Sequence, residues 1–125
     1  MVERHKAVLF LALMKQMAHQ RFIFVGRPEN IATLAKLGIT RGHAKSLVLG
    51  LRPEDCVSGP DPDYDNPGLD VWVFGLRVSG LDIYVKLQVV LSQGHCVCVS
   101  FHEAERPMHY PLRESTAPSG KGDQE

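Results

Sequence analysis

Apolar side chains recur at every second position through Trp72, Phe74 and Leu76, then Ile83, Val85, Leu87 and Val89, then Val97, Val99 and Phe101. This period specifies three strands, Val71–Val78, Leu81–Leu91 and His95–Phe101, joined at Ser79-Gly80 and Ser92-Gln93-Gly94 into a β-meander. Neighbouring side chains on a strand point to opposite faces, so a slip of one residue would turn the apolar set out to water. The pattern therefore predicts the pairing as well as the strands. A two-residue turn at Ser79-Gly80 sets Trp72, Phe74 and Leu76 against Leu87, Val85 and Ile83. A three-residue turn with Gly94 left-handed sets Val89, Leu87 and Val85 against Val97, Val99 and Phe101. The other face then reads Gly75–Tyr84–His102, Val73–Lys86–Ser100 and Arg77–Asp82, with direct neighbours about 4.5–5.5 Å apart at Cβ.

The N-terminal half reads as helical. Ala7, Phe10, Leu11, Met14, Met17 and Ala18 form one stripe of a helix over residues 3–19. Arg21–Val25 is a short strand ended by Gly26. Pro28 opens a second helix that Gly38 stops after Leu37, and Thr40 caps a third that runs through Leu49 to Gly50. Residues 51–69 turn to Pro, Gly and Asp and read as one long loop. From Arg113 the composition is that of a disordered tail. With 125 residues, 44% hydrophobic and 22% charged, the chain has material for one packed domain. The expected fold is α+β over residues 1–112: the meander and a short N-terminal strand in a twisted antiparallel sheet, packed against about three helices.

Charge is zero in sum and uneven in distribution. Residues 1–52 hold nine Lys/Arg and two acids, whereas residues 53–70 hold six acids and no base. A basic half of this kind suits a polyanion. Three cysteines in no secreted pattern fit a reduced, cytoplasmic protein. The apolar run Ala7 to Met14 is too short to span a bilayer, and Lys15 and Gln16 follow it where a signal peptide needs a small-residue cleavage site.

Tyr84, Lys86 and His102 on one sheet face are the parts needed to cleave RNA without a metal. The 2′-hydroxyl must lose a proton, the phosphate's extra charge must be held, and the leaving 5′-oxygen must gain a proton. His102 suits proton transfer because imidazole titrates near neutrality. Lys86 suits the phosphate oxygens, and Tyr84 can relay a proton or stack on a base. Zinc is disfavoured in His95-Cys96-x-Cys98-x-x-x-His102. On a strand, Cys98 and His102 lie about 13 Å apart, far beyond two ligand bonds of about 2.0–2.3 Å. Asp61, Asp63 and Asp65 alternate as cation ligands might, but their prolines fit an extended solvated segment.

Val71-Trp72-Val73-Phe74-Gly75, Ile83-Tyr84-Val85-Lys86-Leu87 and Val99-Ser100-Phe101-His102, behind a helical half, resemble the MqsR family of bacterial toxins over about residues 5–110. The resemblance implies a RelE-like fold with helices on one sheet face. It implies a metal-independent endoribonuclease that cuts messenger RNA, often at GCU-like sites, until an antitoxin binds it. Tyr84 and Lys86 match the family's Tyr-x-Lys strand. His102 stands where its best-known member has a lysine, Val73 where that member has a glutamine, and Arg52-Pro53-Glu54-Asp55 at its helix-to-loop turn. The expected catalytic residues are Tyr84, Lys86 and His102, and the expected RNA contacts are Arg77, Trp72, Ser100 and Arg52. No metal or cofactor and no membrane is expected; the partners are messenger RNA and an antitoxin. The alternative is a non-catalytic module that binds RNA or protein through the basic half, including Lys36, Arg41 and Lys45.

Overall fold

The computed structural model describes residues 2–116. Its elements are α1 (Arg4–Gln20), β1 (Phe22–Phe24), α2 (Pro28–Leu37), α3 (Arg41–Leu49), β2 (Cys56–Pro62), β3 (Asp70–Val78), β4 (Leu81–Val90), β5 (His95–Glu103) and α4 (Pro111–Thr116). The fold is α+β. Its five strands form one sheet in the order β1-β5-β4-β3-β2, antiparallel except that β1 runs parallel to β5. The sheet is thus mixed and one strand wider than the sequence predicts. No helix among the described residues is long and apolar enough to cross a membrane.

The helices form where the local signals lie. Pro28 occupies the first turn of α2, and Gly38 ends it in the left-handed conformation at φ 69°. The Thr40 hydroxyl caps α3 by accepting the His43 N–H at 3.0 Å. α1 buries Ala7, Leu11, Met14, Met17 and Ala18, and its Phe10 stacks on Trp72 at 4.9 Å. This helix closes a core that also holds Phe74, Ile83, Val85, Leu87 and Phe101, each fully buried. Burying a side chain of this size contributes about 1.5–3 kcal/mol.

The β3–β4 pairing is the predicted one, from Trp72 opposite Leu87 to Arg77 opposite Asp82. The β4–β5 pairing agrees at Tyr84–His102, Val85–Phe101 and Lys86–Ser100, then departs: Leu87 lies opposite Cys98, and Val89 opposite Cys96. The cause is a β-bulge at Val99, which leaves two residues of β5 facing one of β4. Cys96 and Cys98 turn into the core, while Val97 and Val99 join Lys86 and Gln88 on the outer face. With the bulge, β5 turns both its cysteines and Phe101 into the core while Ser100, itself buried, and half-buried His102 lie on the outer face.

Residues 51–69 hold a strand that the composition concealed. β2 pairs with β3 from Cys56–Phe74 to Pro62–Asp70, with two register irregularities. It is the outermost strand, where Pro60 and Pro62 can lack an N–H without breaking an interior ladder. The expected tail also begins differently. Pro111–Thr116 is helical, and Arg113 is held by Asp55 and Glu54; residues 117–125 of that tail lie outside the described residues.

One side chain does the work of a missing strand. β1 pairs with β5 only as far as Cys98, beyond which the β5 edge would be unpaired. Asn30 of α2, fully buried, fills the gap: its Nδ2 donates to the carbonyls of Val25 (2.9 Å) and Val99 (3.1 Å), and its Oδ1 accepts the Phe101 N–H (3.0 Å). The part of β5 that carries Ser100 and His102 is thereby fixed to α2.

Candidate functional site

After β5 the chain folds back across the outer face of the sheet. The Ala104 N–H donates to the Asp82 carbonyl at 2.8 Å, and the strap then passes over Gly75, on which the Tyr110 hydroxyl and the Met108 methyl rest. The space that an interior glycine opens is therefore filled by this chain's own side chains. The far end is clamped by Arg113, which lies 3.9 Å over the Tyr110 ring and donates to the Asp55 carboxylate at 3.0 Å. Gly75→Ala places a methyl group where Tyr110 and Met108 sit. It should cost about 1–3 kcal/mol in urea denaturation, as overpacking does, and make the strap more sensitive to protease. An unchanged midpoint would mean that the strap does not rest there.

Between strap and sheet lies a groove of about 500 Å³, lined among others by Arg27, Tyr84, Lys86, Ser100, His102 and Arg106. The β4–β5 register brings Tyr84 and His102 together as stacked rings, centroids 5.2 Å apart and planes 16° apart. Against the Glu103 carbonyl, 3.0 Å away, His102 Nδ1 is the donor. A neutral ring so held keeps its lone pair on Nε2. Burial first, and the Asp61 carboxylate second, push the Tyr84 phenol above its ordinary pKa. Tyr84 thus stays protonated at neutral pH, a hydrogen-bond donor and not an anion. Lys86, half-buried opposite Ser100, and Arg27 form no ion pair with another described residue. Their charge is available to an anion.

Four of the expected residues, Tyr84, Lys86, Ser100 and His102, thus meet in one groove. Three do not. Trp72 is only 5% exposed, on the core face under Phe10, because its strand alternation points it inward. Arg77 pairs with Asp82 at 2.9 Å and lines a separate cavity by the β3–β4 turn. Arg52 lies before β2 with Asp55, away from the groove. Arg27 and Arg106 line the groove without having been read from the sequence, since nothing periodic marks either. In the basic half, Lys36 is paired with Glu103 at 2.7 Å and Arg41 lies over the Phe24 ring, which leaves less free charge there than the sequence implies.

The cysteines belong to the core. Burial pushes the thiols of Cys56 and Cys96 up to about 12, and raises that of Cys98 as well. A thiol so held is not a thiolate nucleophile at neutral pH. No thiol should react with a disulfide reagent in native buffer, and all three should react in urea; rapid native labelling of any one would contradict this packing. Cys96 and Cys98 point into the core while His102 faces the groove, so these side chains do not converge on a shared centre.

Comparison with protein-family models, with curated proteins and with solved structures finds no match to this chain.

Proposed function

We propose that the chain is the toxin of a toxin–antitoxin pair, a RelE-like endoribonuclease of the MqsR type that cuts messenger RNA in the cytoplasm until its antitoxin binds. The observation that carries this reading is the meeting of a phenol, an imidazole and two unneutralised cations, Arg27 and Lys86, in one groove. A phosphate diester needs such a set: charge for its oxygens, a base for the 2′-hydroxyl and an acid for the leaving oxygen.

In this mechanism His102 Nε2 takes the proton of the 2′-hydroxyl as its oxygen bonds to phosphorus. Lys86 and Arg27 hold the non-bridging oxygens, on which charge builds. The bond from phosphorus to the 5′-oxygen breaks, and that oxygen takes a proton from the Tyr84 phenol, which burial keeps neutral. Solvent then carries the proton from the imidazolium back to the tyrosinate, which restores both groups for the next cycle. The products are a 2′,3′-cyclic phosphate and a 5′-hydroxyl.

Purified protein incubated with a defined RNA in EDTA tests the reading. Cutting should persist under chelation, and Lys86→Ala should slow it about 10²-fold, the usual worth of one charge-stabilising donor. Absence of cutting, or cutting that EDTA abolishes, would remove the metal-free mechanism.

A further inference from the structure

We propose that the cavity beside the groove is a nucleobase subsite with Tyr64 as its stacking platform, so that the RNA is read one nucleotide away from the bond that is cut. The inference rests on the RNA-cleaving reading and names the contact that would give it sequence preference.

The cavity, about 410 Å³, lies between the β2–β3 loop and the outer face of β4 and β5, and it shares Lys86 and Arg27 with the groove. A phosphate held by those two cations would have Tyr84 and His102 on one side and this cavity on the other. A base attached through the neighbouring sugar would have its place here. Val97 and Val99 line it because the bulge in β5 turned them outward, and with Val25 and Val71 they give it an apolar floor beside Lys86 and Gln88.

Tyr64 is 89% exposed, the most exposed large apolar side chain among the described residues, and the residue before it is held by three hydrogen bonds. The Asp63 carboxylate accepts from Gln88 Nε2 at 2.8 Å, Asn66 Nδ2 at 2.9 Å and the Asp65 N–H at 3.0 Å. Gln88 is a buried residue of β4, so the start of the loop, one residue before Tyr64, is tied to the sheet face. A phenol ring on a fixed loop, beside an apolar surface and two cations, matches how single-stranded RNA is bound: stacking on an aromatic ring, with the backbone on positive charge. The acids of the loop also work against indiscriminate binding of polyanions, leaving stacking as the attraction at this end.

The test is binding of an end-labelled, uncleavable 2′-O-methyl oligoribonucleotide, read by fluorescence anisotropy for the wild type, Tyr64→Ala and Tyr64→Trp. Tyr64→Ala should weaken binding about five- to a hundredfold, the loss of one base–aromatic stack, and Tyr64→Trp should restore it. An abasic nucleotide next to the cut position should weaken the wild type by a similar factor and Tyr64→Ala no further. Equal affinity of wild type and Tyr64→Ala would overturn the subsite and leave the cleavage reading standing. No binding by the wild type would overturn both.

Discussion

His102→Ala is expected to lower RNA cleavage by about 10²–10⁴-fold, the usual worth of a general acid–base group, with almost no change in stability. The two effects separate because of where the residue sits. Its ring stacks on Tyr84 and bonds one backbone carbonyl, but it is half-exposed and outside the core. His102→Gln sharpens the prediction: an amide can still donate toward Glu103 but cannot carry the proton, so it should be as inactive as alanine. Initial rates on a fluorogenic RNA, beside circular dichroism of each variant, decide the matter. A rate within a few-fold of wild type would take His102 out of the chemistry.

The second large effect is on stability. Asn30→Leu is close in size but leaves the carbonyls of Val25 and Val99 and the N–H of Phe101 without the partner they now have. An orphaned buried polar group costs about 1–3 kcal/mol, so the three together should remove roughly 3–5 kcal/mol. That is a large part of the roughly 5–15 kcal/mol that holds a typical domain folded. Asn30→Asp should not rescue it, since a carboxylate would face two carbonyl oxygens while keeping only the Phe101 bond. Urea midpoints and slopes measure this directly, and a loss under about 1 kcal/mol would mean that the β5 edge is satisfied in some other way. Cleavage should fall with stability, because the same bonds place Ser100 and His102.

The meander was legible because its apolar period leaves little choice, and every β3–β4 pair follows from it. The β4–β5 hairpin shows both the strength and the limit of that reasoning. Four residues, Leu91 to Gly94, separate the first pair, Val90 and His95, where three were expected, and the bulge at Val99 then cancels the offset. The Tyr84–His102 and Lys86–Ser100 rows therefore survive an error made nearer the turn. Cys96-Val97-Cys98-Val99 is apolar in either register, so nothing in the local pattern could have exposed it; the packing of the core and the pairing with β1 decide which set turns inward.

Other features were hidden because their causes are tertiary. β2 is written in Gly and Pro, which only an edge strand tolerates. Arg27 reaches the groove because β1 lies parallel to β5, a pairing between distant segments that no turn announces. The strap is anchored by Tyr110 on Gly75 and by Arg113 on Asp55, contacts that span 35 and 58 residues of sequence. Trp72 teaches the reverse lesson. Its alternation already placed it on the apolar face, and that evidence outweighs its expected role as an RNA contact.

A groove that cuts RNA through the RNA's own 2′-hydroxyl leaves ends that no other route of cleavage leaves. Mapping the ends of an RNA incubated with the protein in EDTA tests this route most directly, alongside the same RNA carrying a single 2′-deoxynucleotide at the cut position. A 2′,3′-cyclic phosphate and a 5′-hydroxyl are expected from the first RNA, and no cut at that position in the second. Ends bearing a 3′-hydroxyl and a 5′-phosphate, or cleavage of the deoxy-substituted RNA at the same rate, would contradict this route.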